Sequence, residues 1–296
     1  MRFMGNNKQS HIIDGKKHAA AIRQEVKARV DGGIRAHLAV VLVGEDPAAQ
    51  VYIRMKQKAC AEVGFESSLH KMDETTSQTE VIALIDKLNA DANVTGILVQ
   101  QPFPGHLNKL EIVSRVAPHK DVDCLGAFNV GLATMGQGQL LPCTPAGVIE
   151  LLKRENIPMR GKHAVVVGRS DIVGKPMALM LLANDATVTI CHSRTENLAE
   201  VCRTADILVA AVGREKLITA DFVKPGAVVV DVGMHAIGVT ASGRRKVCGD
   251  VDFDACAEKA SYITPVPGGV GPMTVAMLMQ NCITAWEAAS GFSPTT

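Results

Sequence analysis

The chain has 296 residues, of which 47% are hydrophobic and 21% are charged, and its formal net charge is +1. This length accommodates two domains of roughly 100 to 200 residues each. The small net charge excludes a strongly basic surface for nucleic acid or acidic membranes, and no apolar run approaches the 18 or so residues of a membrane-spanning helix. We therefore expect a soluble protein.

The cysteines and the start of the chain predict a reducing compartment. Eight cysteines are scattered without a CxxC pair, and several lie in apolar runs, where thiols behave as small hydrophobic side chains. The first ten residues lack the apolar segment of a secretory signal, and the nine histidines form no HxxxH or HExxH pattern. We expect a cytoplasmic protein without disulfides or a metal site.

From Leu38 onward, the first half of the chain alternates between strand-like and helix-like segments. The predicted elements are a strand at Leu38–Val43, a helix at Pro47–Val63, a strand near Ser67–Met72, a helix near Thr79–Ala90 and a strand at Gly96–Gln100. This alternation is typical of a parallel sheet covered by helices.

A second series of the same kind predicts a second α/β domain. Its strands are expected at Ala164–Val167, Thr187–Cys191, Ile207–Val212, Ala227–Val232 and Tyr262–Thr264. Between the two series, residues 129–147 hold four glycines and two prolines, which predicts a linker or cleft edge. A helix at Val148–Asn156 would follow it. A last helix from Pro272 carries an apolar face that would pack on the first domain.

The loop GRSDIVGKP lies between a predicted strand and an apolar helix. Gly168, Arg169, Ser170 and Gly174 belong to it, but the middle glycine of GxGxxG is missing. The loop alone therefore fits two structures equally well. One is a phosphate site at a helix N-terminus, and the other is an ordinary βα turn that uses glycine for its backbone freedom.

The strand after this loop ends without an acidic residue, which favours the phosphate site. In a dinucleotide fold, an Asp or Glu at this point accepts a hydrogen bond from the ribose 2′-hydroxyl, whereas a basic residue accommodates a 2′-phosphate. This chain has His192, Ser193 and Arg194 there, and Arg169 adds a second guanidinium within plausible reach. The sequence therefore predicts NADP rather than NAD.

A lysine, a glutamine and an aspartate are candidates for a catalytic site. Tyr52 and Lys56 lie one turn apart on the predicted helix, although a lysine at this spacing is commonly a solvated residue. Gln100 closes a strand, where α/β folds place ligand sites. Asp121 and Asp123 follow in a loop, and either carboxylate could simply cap that loop. Together such groups would supply a proton carrier, a group that orients it and an anchor for a ligand. A lysine serves as a base only in its neutral form.

The run TPVPGGVGPMT combines three prolines and three glycines directly after a predicted strand. Proline fixes the backbone and glycine removes side chains, so Pro267, Gly268 and Gly269 would form a rigid wall that a flat ligand can approach closely. The alternative is a tight connection between the strand and the following helix.

These motifs, in this order, resemble the bifunctional methylenetetrahydrofolate dehydrogenase/methenyltetrahydrofolate cyclohydrolase family. The resemblance runs from IDGK at Ile13 to the last helix and rests on YIRMK, GILVQQPFP, KDVD, PCTPAG, GRSDIVGKP and PVPGGVGPMT. It implies an α/β catalytic domain of residues 1–146, completed by the C-terminal helix of residues 272–296. It also implies an NADP-binding Rossmann domain of residues 147–271, with folate bound in a cleft between the two.

The resemblance also implies an activity and residue roles. 5,10-Methylenetetrahydrofolate would pass hydride to NADP, and water would open the methenyl product to 10-formyltetrahydrofolate. Lys56 would handle the proton of hydrolysis, Gln100 would orient and tune it, Tyr52 would pack on folate and Asp123 would hydrogen-bond the pterin. Arg169 and Ser193 match the family's 2′-phosphate contacts, and Arg194 is added on physical grounds. A homodimer is expected from the resemblance alone.

The chain departs from the family pattern at a few positions. Cys124 stands where Gly is usual, so a positive φ would strain its backbone and could move Asp123. Gln101 and Phe103 replace the more usual Leu residues, and His235 stands where Asn is common. Three alternatives are a dehydrogenase with a weak hydrolase step, a non-catalytic nucleotide-binding regulator and an NADP dehydrogenase for another small substrate.

Overall fold

The structure is a computed structural model that describes residues 10–239 and 245–291. Two compact units are present. The N-terminal unit comprises Ala19–Ala146 and the described residues from Thr274 onward. The central unit comprises the described residues up to His18 and Gly147–Met273. Among the described helices, none is both long and apolar enough to cross a membrane.

The described strands and α-helices alternate along most of the chain. The strands are β1 (His11–Ile12), β2 (His37–Val43), β3 (Glu66–Met72), β4 (Gly96–Gln100), β5 (His163–Val167), β6 (Thr187–Cys191), β7 (Ile207–Ala210), β8 (Val228–Asp231), β9 (His235–Val239), β10 (Arg245–Cys248) and β11 (Tyr262–Ile263). The helices are α1 (Gly15–Asp31), α2 (Pro47–Val63), α3 (Gln78–Ala90), α4 (Lys109–Arg115), α5 (Ala127–Thr134), α6 (Cys143–Arg154), α7 (Gly174–Ala183), α8 (Leu198–Cys202), α9 (Phe253–Ala257) and α10 (Val270–Ser290).

The N-terminal unit contains a parallel sheet with the strand order β3-β2-β4. The side chains of β4 and nearly all those of β2 are buried, as expected for a parallel sheet covered on both faces. Helix α2 begins where predicted, because the Asp46 carboxylate accepts a hydrogen bond from the Ala49 N–H at 2.7 Å and Pro47 occupies the first turn. The end of β4 and the start of α2 lie at the same edge of the sheet, because α2 follows β2 and β2 is parallel to β4.

The central unit contains a parallel sheet with the strand order β1-β11-β8-β7-β5-β6, and β9 and β10 form a separate antiparallel pair. From β5 the chain adds β6 on one side and β7 on the other, so the strand order reverses between β5 and β7. This reversal creates the crevice in which open α/β sheets bind ligands. Residues 10–18 belong to this unit, in contrast to the predicted span, because β1 pairs with β11.

The last helix packs on the N-terminal unit, which confirms the predicted fold class of an α/β protein with two domains and a returning helix. Glu287 of α10 forms an ion pair with Arg29 of α1. The Asn281 side chain of α10 donates to the backbone oxygens of Val122 and Leu141, both at 2.8 Å.

Residues 129–147, predicted as a linker or cleft edge, contain more helix than their glycines and prolines indicated. Helix α5 covers the start of this segment, and α6 begins at Cys143, five residues before the predicted start. Gly131 lies inside α5 in open space, and Pro145 falls in the first turn of α6, where its missing N–H costs no helical hydrogen bond. Counting glycines and prolines therefore overstated the irregular structure.

Candidate active site

Lys56 is buried in the N-terminal unit and holds a specific partner. Its side chain is 8% exposed, and its Nζ donates to Gln100 Oε1 at 3.1 Å. Tyr52 lies one turn earlier on α2, and burial raises the pKa of its hydroxyl. Lys56 is therefore not the solvated lysine that this spacing commonly produces.

The amide of Gln100 is fixed at both ends. Its Nε2 donates to the backbone oxygen of Gln101 at 2.7 Å, so its Oε1 faces Lys56. Gln100 is the last residue of β4 and is 9% exposed. The carboxyl end of this strand thus presents a neutral acceptor that determines where the Lys56 amine lies.

Two residues of the KDVD segment support the loop that carries Asp123. Lys120 donates to the backbone oxygens of Leu88 at 3.1 Å and Asp91 at 2.7 Å. The buried Asp121 carboxylate accepts from the Leu125 and Gly126 N–H groups and from Asn129. Burial raises the pKa of Asp121, although these hydrogen bonds oppose the shift. Asp121 is therefore the loop cap, and donors of the loop occupy its carboxylate.

The backbone after Asp123 is left-handed. Cys124 has a φ of 55°, its N–H donates to the Asp121 oxygen at 3.0 Å, and its buried thiol contacts the Leu140 oxygen at 3.4 Å. Cys124 carries a Cβ, so this left-handed conformation strains its backbone. Its side chain is fully buried, so its surroundings hold the conformation in place.

Sequence reasoning missed two residues that organise this loop. The buried thiol of Cys143 donates to the Val122 oxygen at 3.4 Å and accepts from Asn281 Nδ2 at 3.5 Å. Burial raises its pKa, with Asp123 reinforcing the shift and Lys56 opposing it. Asn281 fixes the neighbouring Val122 oxygen from α10. Cys143 lies in the motif PCTPAG, which was a signal for its importance, whereas no motif marked Asn281.

The thiols of this chain are structural groups within their units. All eight cysteines are free and buried. Across residues 10–239 and 245–291, no cluster of three or more His, Cys, Asp or Glu side chains is arranged to hold a metal ion.

In the central unit, the loop after β5 is shaped by two glycines. Gly168 has a φ of 139°, and a Cβ there would collide with the Ala211 oxygen. A Cβ on Gly174 would collide with the Gly168 oxygen. The first glycine thus permits the tight turn and the second permits close packing of α7, the two uses of glycine in a dinucleotide loop. The Ser170 hydroxyl accepts from the Val173 and Gly174 N–H groups at 3.3 and 3.2 Å, at the start of α7.

The end of β6 presents a hydroxyl and a guanidinium to solvent. The turn that follows is closed internally, since the His192 N–H donates to Thr195 Oγ1 at 2.9 Å and the Arg194 N–H contacts His192 Nδ1 at 3.2 Å. The side chains of Ser193, Arg194 and Arg169 are exposed. This chemistry is compatible with a 2′-phosphate, and residues 192–194 include no carboxylate for a ribose 2′-hydroxyl.

The proline and glycine run is held by backbone contacts. Gly268 has a φ of 114°, and its oxygen accepts from the Lys16 N–H at 3.1 Å. The Gly269 N–H donates to the Pro265 oxygen at 2.8 Å, and a Cβ on Gly15 would collide with the Gly269 oxygen. Gly268 and Gly269 are buried, whereas Pro267 is exposed. The segment is thus a fixed backbone surface.

Comparisons with known proteins agree over both halves of the chain. The catalytic-domain model of the tetrahydrofolate dehydrogenase/cyclohydrolase family matches residues 13–123, and the NAD(P)-binding-domain model of that family matches residues 142–290. The bifunctional protein FolD of Moorella thermoacetica is 54% identical over 280 residues, which cover 93% of this chain and 98% of that protein.

Solved structures show the same similarity. The bifunctional FolD dehydrogenase/cyclohydrolase of Campylobacter jejuni is 46% identical, has a TM-score of 0.89 and matches 94% of this chain and 99% of its own. The Trypanosoma brucei enzyme, complexed with NADP cofactor and an inhibitor, is 36% identical with a TM-score of 0.91, and the match covers 95% of this chain and 99% of that one.

Proposed function

The chain belongs to the tetrahydrofolate dehydrogenase/cyclohydrolase family, and from this premise we propose how its residues divide the work. It is an NADP-dependent enzyme that oxidises 5,10-methylenetetrahydrofolate to 5,10-methenyltetrahydrofolate and hydrolyses that product to 10-formyltetrahydrofolate. The N-terminal unit supplies the catalytic side chains, and the central unit binds the cofactor.

The cofactor residues follow from the central unit. Bound NADP supplies the nicotinamide that accepts a hydride from the methylene carbon of the folate. The residues Arg169, Ser193 and Arg194 bind the 2′-phosphate, because they are exposed donors at the end of β6 and the start of the loop. The loop residues Gly168, Ser170 and Gly174 bring the backbone to the pyrophosphate.

The hydrolytic step rests on the buried hydrogen bond between Lys56 and Gln100. Water adds its oxygen to the methenyl carbon, and the Lys56 amine takes one proton from it. The hydroxyl then loses its remaining proton to solvent as the carbonyl forms, and the bond from carbon to N5 breaks with its electron pair on N5. Lys56 returns its proton to N5, so one proton is released overall. Gln100 holds one N–H of the amine and thereby directs its lone pair.

The remaining candidate residues position the folate. Tyr52 packs on its ring system, and Asp123 accepts hydrogen bonds from the pterin, supported by the loop that Asp121 and Asn281 fix. Pro267, Gly268 and Gly269 contact the substrate through their fixed backbone.

The assembly and location of the enzyme are also proposals. We propose a homodimer, on the resemblance to the family, and sedimentation velocity should give a single species of twice the chain mass of 31.4 kDa. The net charge of +1 supports the absence of a nucleic-acid partner. The eight free and buried cysteines support a cytoplasmic location, where thiols stay reduced.

An absorbance time course tests the proposed function. Purified protein is given 5,10-methylenetetrahydrofolate with NADP or with NAD, and separately methenyltetrahydrofolate alone. We expect methenyl formation that prefers NADP, followed by decay faster than the spontaneous rate. Formation without accelerated decay would leave a monofunctional dehydrogenase, and inactivity with both cofactors would leave a nucleotide-binding protein.

A further inference from the structure

The loop after β7 is held by a buried carboxylate from a distant part of the sequence. Asp250 is 0% exposed. Its Oδ2 accepts from the N–H groups of Val212 and Gly213 at 2.6 and 3.1 Å, and its Oδ1 accepts from the Arg214 N–H at 3.0 Å. Three consecutive backbone amides thus converge on one carboxylate.

This loop lies at the reversal of strand order in the central sheet. It follows β7, the strand that pairs with β5 on the side opposite β6. The Ala211 N–H donates to the Val167 oxygen at 2.8 Å, and the Ala211 oxygen approaches so closely that Gly168 can carry no Cβ. The loop residues 211–214 therefore form one wall of the crevice whose other wall is the glycine loop after β5.

His235, at the start of β9, supplies a further hydrogen-bond donor to the Asp250 carboxylate. Its Nε2 lies 2.7 Å from Asp250 Oδ1, and its side chain is 23% exposed. Oδ1 therefore receives two donors, one from the loop and one from His235. With either charged or neutral imidazole, this donor offsets the burial of a carboxylate.

The Asp231 carboxylate fixes the backbone around Asp250. Its Oδ1 accepts from the Gly233 and Asp250 N–H groups at 2.9 and 3.0 Å, and its Oδ2 accepts from the Val251 N–H at 2.9 Å. A Cβ on Gly233 would collide with Asp250, and a Cβ on Gly249 would collide with Asp231. The backbone of Asp250 therefore has little freedom, and its carboxylate depends on His235 for its remaining polar contact.

We propose that His235 and Asp250 are positioning residues for the cofactor. They hold loop 211–214 in the conformation that lines the dinucleotide crevice, so that binding does not have to order this loop. The proposal rests on the assignment of NADP to the central unit. A loop ordered in advance lowers the entropic cost of association, and therefore the effect falls on affinity more than on the rate of the bound complex.

The test uses His235, because Asp250 is too deeply buried to replace without risk to folding. His235→Ala removes the donor, whereas His235→Gln can restore a donating N–H near the position of Nε2. Val239→Ala is the matched control, since this residue lies on the same strand and is 70% exposed. For each full-length variant, NADP affinity is measured by titration calorimetry, and amide exchange of residues 212–214 is measured without NADP.

His235→Ala should weaken NADP binding about tenfold, equivalent to about 1.4 kcal/mol. It should raise KM for NADP by a similar factor, change kcat less than about threefold and speed exchange at residues 212–214 about tenfold. His235→Gln should recover most of the affinity, and Val239→Ala should match the wild type.

The proposal is overturned if His235→Ala binds NADP within twofold of the wild type, or if exchange of residues 212–214 is unchanged. It is also overturned if His235→Gln loses as much affinity as His235→Ala. If the wild type fails to bind NADP, the proposed function fails as well, and this outcome is distinct because it is seen without any substitution.

Discussion

The two units form their candidate sites from different chemical groups. In the N-terminal unit, the site consists of buried side chains that contact one another, with Lys56 8% exposed and Gln100 9% exposed. In the central unit, the site consists of backbone shaped by glycine, with exposed side chains such as Arg169 and Ser193 around it.

The difference matches the chemistry that we propose for each site. Moving a proton requires a group held within hydrogen-bond reach of one atom, so burial and a fixed partner are useful. Binding a phosphate requires amides that can approach it and positive charge nearby, which an exposed guanidinium supplies. A substitution in the N-terminal unit should therefore remove chemistry, whereas an added Cβ or a lost charge in the central unit should remove binding.

The largest effect is expected for Lys56→Met. Hydrolysis of methenyltetrahydrofolate should fall about 10³-fold, because general acid–base catalysis is typically worth about 10²- to 10⁴-fold. Folate affinity should change less than about threefold, because Tyr52 and Asp123 remain to bind the substrate. The exposed Lys58→Met on the same helix is the control. An equal loss of binding and hydrolysis would indicate that Lys56 is structural.

The next largest effect is expected for Gly174→Ala. The new Cβ would meet the Gly168 oxygen, so the start of α7 must shift away from the glycine loop. NADP affinity should fall about 100-fold, of order 3 kcal/mol, while folate affinity stays within about threefold. Gly131→Ala on α5, where a Cβ meets open space, is the control. Unchanged NADP titration by Gly174→Ala would exclude a role for this close packing.

Arg169→Ala should affect the two nicotinamide cofactors differently. Loss of charge-assisted hydrogen bonds to the 2′-phosphate should weaken NADP binding about 10- to 30-fold, or about 1.4 to 2 kcal/mol. NAD binding should stay within about twofold. Arg160→Ala, whose side chain is 89% exposed, is the matched control. Equal weakening of NAD and NADP in titrations would move the 2′-phosphate site elsewhere.

The smallest effect concerns backbone strain at Cys124 in the N-terminal unit. Both Cys124→Gly and Cys124→Ala remove the thiol, but only glycine tolerates a φ of 55° without cost. The glycine variant should be more stable than the alanine variant by about 0.5 to 1 kcal/mol, after allowance for the freedom of glycine in the unfolded chain. Urea denaturation measures the difference, and a more stable alanine variant would show that this residue is not strained.

The sequence predicted elements best where the local pattern and the final packing agree. Strand Gly96–Gln100 and helix Pro47–Val63 have the predicted bounds, because one is a continuous buried run and the other has a clear N-cap. Helices cover both ends of segment 129–147, predicted as a linker or cleft edge, because Gly131 and Pro145 sit at helix positions where they cost little. Strand β1 was not predicted, because two residues with exposed side chains carry no periodicity.

The candidate site also depends on contacts that the local sequence pattern does not report. The sequence singled out Lys56 and Gln100, and the structure joins them. The residue pattern alone left Asp121 and Asp123 open and only the family resemblance chose Asp123, because the N–H groups that Asp121 caps are known only once the loop is folded. Asn281 lies 159 positions from the residue whose oxygen it binds, and no local pattern reports a contact of that range.

The most direct test of the division between the units is a coupled absorbance time course of Lys56→Met and Arg169→Ala side by side. We expect Lys56→Met to form methenyltetrahydrofolate with NADP and to let it decay at the spontaneous rate. We expect Arg169→Ala to form it slowly at low NADP yet to hydrolyse added methenyltetrahydrofolate at the wild-type rate. If each variant slows both steps by the same factor, the two units do not divide the dehydrogenase and hydrolase steps between them.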